Sequence, residues 1–215
     1  LDSTNVLSPE LTVITPIALD HQHLLGRTLK EISSEKGGII KYKVPVVIAP
    51  QVQDAAHVLR GISSQNKSPC YFVPSPLILK IDWGKMETHF RLNEITYTTP
   101  FLGRHQAVNA ATAIQSVFTY DATISPAIIQ KGMDKTIWPG RLQKLDETYP
   151  IFYDVAHNGH ALKAIMSFME ENFSEKPIGI IGLKGDKELD LIVTQIKGKF
   201  SQLITVGTKN DKLYS

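Results

Sequence analysis

The chain has 215 residues, of which 42% are hydrophobic and 20% are charged. This composition is typical of a globular protein with a hydrophobic core and excludes an intrinsically disordered chain. A net charge of +2 offers no electrostatic reason to bind nucleic acid or an anionic membrane surface.

The chain opens with a predicted strand and helix. Residues 12–19 form an apolar, β-branched run that indicates a buried strand, and Pro16 within it favours an edge position or a bulge. Thr28 and Glu31 match a capping box, in which each side chain satisfies a backbone donor of the other residue. The helix that they begin is expected to end at Gly37-Gly38 in a left-handed conformation.

The middle of the chain changes its periodicity twice. After a predicted parallel strand at 44–48 and a helix at 52–62, short apolar runs within 71–101 predict a hairpin or meander. An alanine-rich stretch at 105–118 then predicts a helix. Ser125 is expected to cap another helix, with Pro126 at its first position.

A boundary is expected between Lys135 and Gly140, because Pro139-Gly140 interrupts both periodicities. Beyond this boundary strands and helices alternate, at 150–154, 159–172, 177–182, 187–198 and 202–207. Such a βαβαβ order predicts an α/β fold with a parallel sheet and right-handed crossovers.

Three polar residues in the first part of the chain are candidates for a functional site. His21 follows a strand, and Lys36 ends a helix, where it would also complement the helix dipole. Asn109 is unusual within an alanine-rich helix because asparagine competes for backbone hydrogen bonds. Its amide offers a ligand both a donor and an acceptor, although an exposed polar helix face would explain it equally well.

A second group of candidates lies after the expected boundary. Arg141 follows Pro139-Gly140 in a turn, where a guanidinium can hold a phosphate through two hydrogen bonds. Asp154 and His157 follow a strand thirteen residues later, and ligands bind at the carboxyl ends of strands in open α/β sheets. A structural alternative is that Asp154 caps the next helix and His157 lies in its first turn.

These motifs, taken in order, resemble the bifunctional dihydrofolate synthase/folylpolyglutamate synthase family of the Mur ligase superfamily. The matching stretches run nearly from end to end: 1–6, 19–21, 24–26, 35–40, 45–47, 103–106, 109–111, 138–142 and 154–158, with a weaker match at Gly182-Leu183-Lys184 and Asp186-Lys187. The resemblance implies an α/β fold in which residues 1–136 are part of a Mur-ligase central ATPase domain. Residues 137–215 would then be part of a Rossmann-like C-terminal domain with a parallel sheet.

The resemblance also implies a metal site. His21 matches the family's magnesium-binding histidine, and Lys36 matches a lysine that carbon dioxide carboxylates, so the complete enzyme is expected to hold two Mg²⁺ ions. A carbamate replaces the ammonium of Lys36 by anionic oxygens, which suit Mg²⁺. Lys36 and His157 are the catalytic candidates.

Other matching positions concern the substrates. Asn109, Arg141 and Asp154 match residues that contact ATP, and Leu1, Asp2 and Ser3 match a stretch that lines the dihydropteroate pocket. The implied reaction is ATP-dependent ligation of L-glutamate to dihydropteroate or to folate polyglutamate tails, through an acyl phosphate. A monomer is expected, with neither nucleic acid nor a membrane as partner.

The cysteine content and hydropathy bear on location. Cys70 is the only cysteine, which excludes an intrachain disulfide and favours a reducing cytoplasm. No apolar run reaches the roughly 18 residues that a membrane-spanning helix needs.

Two departures from the family pattern affect the expected activity. The sequence contains no Gly-rich loop with Gly-Lys-Ser/Thr to hold the phosphates, so these 215 residues alone are not expected to catalyse ligation. Val155 and Gly159 also replace residues that are common at those positions. A UDP-muramoyl amino acid ligase and a non-catalytic nucleotide-binding remnant are the alternative functions.

Overall fold

The computed structural model describes residues 3–19, 25–183 and 189–207. The chain folds into two compact units. Unit 1 comprises residues 1–81, 88–100 and 105–136, and unit 2 comprises residues 82–87, 101–104 and 137–215. Across the described ranges no helix is both long enough and apolar enough to cross a membrane.

Unit 1 contains a parallel sheet of β1 (Thr12–Ile14), β2 (Val46–Ile48) and β3 (Cys70–Phe72), in the order β1-β2-β3. All three residues of β2 are buried, as expected for the middle strand of a covered parallel sheet. β1 stops at Ile14, earlier than the predicted end at residue 19. Pro16 therefore lies beyond the strand and not within it as predicted. Among the described strands β1 is at an edge of this sheet, which is one of the two options, an edge position or a bulge, that the sequence left open.

Two helices of unit 1 pack closely together, α1 (Leu29–Gly37) and α2 (Gln53–Gln65). The predicted capping box is confirmed, because Thr28 Oγ1 accepts the Glu31 N–H and Glu31 accepts the Thr28 N–H. The predicted left-handed stop is wrong, since Gly38 is right-handed with φ −60°. Gly37 serves packing instead: a Cβ there would lie 2.5 Å from Cδ1 of Ile62 on α2.

Three further strands and two helices follow along the chain. The strands β4 (Leu77–Asp82), β5 (Glu87–Leu92) and β6 (Ile95–Thr99) form a sheet in that order, in which β5 and β6 pair antiparallel. This is a meander, one of the two arrangements, a hairpin or a meander, that the sequence predicts. The helices are α3 (Arg104–Tyr120) and α4 (Pro126–Asp134). Ser125 is the N-cap residue of α4, as predicted, although its side chain accepts no capping hydrogen bond. Buried residues of α3 share a core with the β5–β6 hairpin, with the parallel sheet and with α4. The members of this core are Val47, Val73, Phe90, Leu92, Tyr97, Ala107, Ala110, Ala111, Ile114 and Ile129.

Unit 2 combines a short antiparallel pair with a parallel one. Its elements after residue 137 are β7 (Gln143–Lys144), β8 (Phe152–Tyr153), α5 (Gly159–Asn172), β9 (Ile178–Ile181), α6 (Leu189–Ile196) and β10 (Gln202–Thr205). The predicted parallel pairing is confirmed for β9 and β10. The prediction that strand 150–154 joins that parallel alternation is not met among the described strands, because β8 pairs antiparallel with β7.

A tight loop explains the antiparallel pairing of β8. Oδ1 of Asp146 accepts the N–H groups of Thr148 and Tyr149, each at 2.8 Å. This side-chain turn reverses the chain, so that the Leu145 N–H donates to the Ile151 carbonyl at 2.8 Å.

Aromatic and aliphatic side chains form the core of unit 2. Phe152 and Phe168 contact edge to face with ring centroids 5.8 Å apart, and Phe173 packs against both rings. The Trp83 ring packs against Phe173 with the ring centroids 5.3 Å apart. Between α5 and α6, Leu162 packs against Ile192 and Ile196.

Candidate functional site

The Arg141 turn is held by hydrogen bonds on both sides of the arginine. On one side, the Gly140 N–H donates to Oε1 of Gln143 at 3.0 Å, and the Gly140 carbonyl accepts the Val155 N–H at 3.1 Å. On the other side, the Leu142 N–H donates to Oδ2 of Asp154 at 2.7 Å. Arg141 itself is half-buried, and its guanidinium makes no ion pair with any residue that the structure describes. Such a guanidinium is available to an anionic ligand.

Asp154 joins the end of β8 to this turn. Besides accepting from Leu142 on Oδ2, its carboxylate accepts the Ala156 N–H on Oδ1 at 2.8 Å. Arg141 and Asp154, which the sequence singles out together, therefore belong to one hydrogen-bonded structure within unit 2. The structural alternative that Asp154 caps the following helix is wrong, because both of its acceptors serve backbone groups outside that helix.

Asn158 caps α5 instead. Its Oδ1 accepts the Ala161 N–H at 2.8 Å, and the helix begins at Gly159. His157 therefore precedes the helix rather than lying in its first turn. Asparagine directly before a helical pattern is an N-cap signal that the sequence does offer.

His157 is exposed, and its Nδ1 lies 3.1 Å from the Val155 carbonyl oxygen. Because a carbonyl oxygen only accepts, this contact requires the proton on Nδ1. In the neutral imidazole Nε2 is then an acceptor. The geometry suits a residue that receives a proton or a hydrogen bond at Nε2.

In unit 1, Asn109 is exposed on α3, and its Nδ2 donates to Oε1 of the buried Gln106 at 3.2 Å. The contact orients the amide, and its Oδ1 has no hydrogen-bond partner within the described ranges. Both interpretations of Asn109, as a ligand contact and as an exposed polar residue, fit this placement. Gln106 belongs to a stretch that matches the family, but the sequence does not show that it is buried or that it accepts a hydrogen bond from Asn109.

The metal and pterin candidates fall largely outside the described residues. Lys36 is exposed in the last turn of α1, as predicted, and makes no ion pair with a described residue. Leu1, Asp2 and His21 lie outside the described ranges, as do Lys184, Asp186 and Lys187 of the weaker motif. Ser3 begins a short 3₁₀ helix, Ser3–Val6.

The described residues contain no group of three His, Cys, Asp or Glu side chains that could hold a metal ion. An ammonium is not a metal ligand, so Lys36 could contribute only after conversion to a carbamate. Its exposure leaves the amine accessible for that conversion.

Two backbone features of unit 2 carry no signal in the sequence. Leu142 is almost fully buried and has a φ of 44°, which is costly for a residue with a branched side chain. Gly159 allows α5 to approach α6, because a Cβ there would lie 3.1 Å from the Leu191 carbonyl oxygen. Glycine in place of the proline that is common after His-Asn thus has a packing reason.

Comparison with known proteins assigns the chain to a family. No protein-family model matches it. It is 32% identical to a folylpolyglutamate synthase of Lacticaseibacillus casei, over 95% of this chain and 50% of the relative. It is 33% identical to a dihydrofolate synthase/folylpolyglutamate synthase of Bacillus subtilis, over 84% of this chain and 44% of the relative.

Solved structures agree with these relatives. An FPGS–AMPPCP–folate complex matches 96% of this chain and 53% of its own length, with a TM-score of 0.85 and 30% identity. A Mycobacterium tuberculosis folylpolyglutamate synthase complexed with ADP and AMPPCP matches 99% of this chain and 51% of its own, with a TM-score of 0.87 and 26% identity. The chain spans about half the length of these relatives. By this homology it belongs to the dihydrofolate synthase/folylpolyglutamate synthase family, as its ordered motifs indicate.

Proposed function

We propose that this chain is part of an ATP-dependent ligase that joins L-glutamate to dihydropteroate or to the polyglutamate tail of a folate. The observation that carries the proposal is the match of nearly the whole chain to an FPGS structure that holds AMPPCP and folate. The half-buried guanidinium of Arg141 supports it from within the chain, because it has no ion-pair partner among the described residues and a guanidinium suits a phosphate.

The residues proposed to contact the nucleotide are Asn109 in unit 1 and, in unit 2, Arg141 and Asp154, with His157 as a catalytic residue. Arg141 would hold the phosphates, and the oriented amide of Asn109 would offer hydrogen bonds to the nucleotide. Asp154 belongs to the same turn as Arg141. Nε2 of His157 would accept a hydrogen bond or a proton from a reacting group.

The domain assignment is part of the same proposal. Residues 1–136 would form a portion of the central ATPase domain of a Mur-type ligase. Residues 137–215 would form a portion of its C-terminal domain. The contact-based division between Thr136 and Ile137 supports this assignment, although segments 82–87 and 101–104 cluster with the later residues.

The acceptor and metal half is proposed to involve Leu1, Asp2 and Ser3 at the pterin and His21 with carboxylated Lys36 at Mg²⁺. Magnesium, when bound, would neutralise charge on the transferred phosphoryl group. A substrate carboxylate would attack the γ-phosphate to form an acyl phosphate and release ADP. The amine of glutamate would then displace phosphate and form the amide.

The relatives favour this reaction over the UDP-muramoyl alternative, because the two quoted above are named as folate enzymes. A monomeric state and a cytoplasmic location stay predictions of the same proposal.

Nucleotide binding tests the proposal directly. Titration calorimetry should show that AMPPCP binds the chain and that Arg141→Ala weakens binding about tenfold or more, the loss expected for a charge-assisted hydrogen bond. Arg60→Ala is the matched control, since it removes the same charge from a guanidinium that lies 4.4 Å above the Phe72 ring. Equal losses in both variants would mean that only net charge matters.

Substrate class is tested by competition. Dihydropteroate should bind the chain, and a UDP-muramoyl amino acid should not displace it. The reverse result would replace the folate assignment by the muramoyl one.

A further inference from the structure

Lys41 ties the short 3₁₀ helix Ser3–Val6 to the loop that follows α1. Its Nζ donates to the main-chain carbonyl of Asn5 at 2.7 Å and to Oδ1 of the same residue at 2.6 Å. Both distances are short, as is usual for hydrogen bonds from a charged donor. Because one ammonium group binds both oxygens, it holds the backbone and the side chain of Asn5 together.

The described side chains of this 3₁₀ helix give it little apolar attachment. Val6 is 87% exposed, and Leu7, which follows it, is 62% exposed. A single 3₁₀ turn also has few backbone hydrogen bonds, and their geometry is poorer than in an α-helix. The contact between Lys41 and Asn5 is therefore the main interaction that attaches the described part of this turn.

The loop that carries Lys41 is itself held in place. Ile40 is 3% exposed and belongs to a buried core cluster of unit 1. The Lys43 N–H donates to the Asn66 carbonyl at 2.9 Å, and the Val44 N–H donates to the Lys41 carbonyl at 3.2 Å. The core and the backbone thus set the position of Lys41 before any ligand arrives, and pre-organisation of this kind reduces the cost of binding.

The Asn5 amide also lies beside the residues that follow Lys36. Its Nδ2 is 4.0 Å from the position that a Cβ would take at Gly38. Ser3 begins the same 3₁₀ helix and is one of the residues proposed to contact the pterin. Lys41 thus connects the segment proposed for the pterin to the loop after Lys36.

We propose that Lys41 is a positioning residue for the pterin substrate, which acts by holding Asn5 and thereby placing residues 1–3. This inference rests on the proposed pterin contact of residues 1–3 and adds a residue that supports it. A direct ion pair between the Lys41 ammonium and the carboxylate of the substrate is the competing explanation. The two differ because an ion pair requires that carboxylate, whereas a pterin held by residues 1–3 does not.

Lysine acetylation without substrate tests the hold on Asn5. Acetic anhydride modifies free amines, and mass spectrometry gives the rate at each lysine. Asn5→Ala removes the Oδ1 acceptor, so Lys41 should react about tenfold faster, the change expected for loss of a charge-assisted hydrogen bond. Lys43 is exposed in the same loop and should react at an unchanged rate. An unchanged rate at Lys41 would overturn the proposal.

Affinity for dihydropteroate tests the positioning. Lys41→Met removes the ammonium and keeps a side chain of similar length, and it should weaken dihydropteroate binding about tenfold. AMPPCP affinity should change by less than about twofold, because the proposed nucleotide contacts lie on other elements. Lys41→Arg should restore dihydropteroate binding, because a guanidinium can donate to both oxygens of Asn5.

Lys43→Met is the matched control. It removes the same charge two residues later, where Nζ lies 5.2 Å from the centroid of the Tyr42 ring. It should leave both affinities unchanged. Equal losses of dihydropteroate affinity in Lys41→Met and Lys43→Met would mean that only net charge matters. An equal loss of AMPPCP affinity in Lys41→Met would reduce Lys41 to a general structural role, and either result would overturn the proposal.

A pterin without a carboxylate separates positioning from a direct ion pair. A hydroxymethyl dihydropterin is such a probe, and Lys41→Met should weaken its binding by the same factor as that of dihydropteroate. A loss confined to dihydropteroate would show the ion pair and overturn the proposal. If the wild-type chain binds neither pterin while Asn5→Ala accelerates acetylation of Lys41, the pterin role of residues 1–3 is refuted and the hold on Asn5 is supported.

Discussion

At the scale of single residues, the Arg141 turn is held by hydrogen bonds to residues more than ten positions later in the chain. Arg141 and Asp154 stand out in the sequence by type and spacing, and the structure joins them through backbone hydrogen bonds. A Cβ at Gly140 would lie 2.6 Å from Cγ1 of Val155, so the valine that departs from the family pattern lies against a position where no side chain fits. Glycine at 140 is needed both for its conformation and for this contact.

Comparison of two Gly→Ala variants separates the effect of the positive φ from the effect of the contact with Val155. Gly140→Ala should destabilise unit 2 by more than about 1 kcal/mol, since alanine is strained at positive φ and its Cβ would overlap Val155. Gly198→Ala is the control, because Gly198 has a φ of +72° with no atom within 4 Å of an added Cβ. Urea denaturation should show a larger loss for Gly140→Ala. Equal losses would mean that Val155 moves aside freely.

At the scale of secondary-structure elements, local sequence signals predict where a helix begins better than they predict which strands pair. The capping box at Thr28 and Glu31 is confirmed because its hydrogen bonds join residues three positions apart. The N-cap of α5 and the start of α4 are local in the same sense. The partner of β8 is not local, and a side-chain turn at Asp146 decides it.

The capping box should make α1 sensitive to acid. The Thr28 hydroxyl, followed by the Thr28 and Arg27 backbone N–H groups, lowers the pKa of Glu31 below its ordinary value. A depressed carboxyl pKa stabilises the folded chain above the unfolded pKa, and this contribution is lost as pH falls through the folded pKa. Thr28→Ala should therefore cost about 1 kcal/mol at pH 7 and less at pH 3.

Chemical denaturation at the two pH values measures this difference. Ser34→Ala is the control on the same helix, because the Ser34 hydroxyl donates to the Lys30 carbonyl at 3.0 Å without a titrating partner. Its effect should not change with pH. A Thr28→Ala loss that is constant from pH 7 to pH 3 would contradict the role of the Glu31 charge.

At the scale of the whole molecule, two compact units carry separate hydrophobic cores. Phe90 stacks on Tyr97 in unit 1 and is fully buried. Phe168 lies among Phe152 and Phe173 in unit 2 and is 2% exposed.

Removal of either ring should therefore destabilise the unit that contains it. Phe90→Ala and Phe168→Ala should each cost about 3–5 kcal/mol, from lost burial and the cavity left behind. Hydrogen exchange should lose protection at β5 amides in the first variant and at α5 amides in the second. Tyr149→Ala, at a side chain that is 64% exposed, should change stability by less than about 0.5 kcal/mol. Full protection at β5 in Phe90→Ala would contradict the assigned core.

The sequence by itself determined the α/β class, the helices, the antiparallel meander and the ordered motifs that indicate the family. These features are encoded in residue type and short periodicity, and they form between neighbours in the chain. Only the tertiary structure decided that β8 pairs with β7, that Gly37 serves helix packing and that Leu142 is left-handed. It also decided that Asp154 bonds to the Arg141 turn. Each of these depends on a partner brought close by folding, and residue type does not identify that partner.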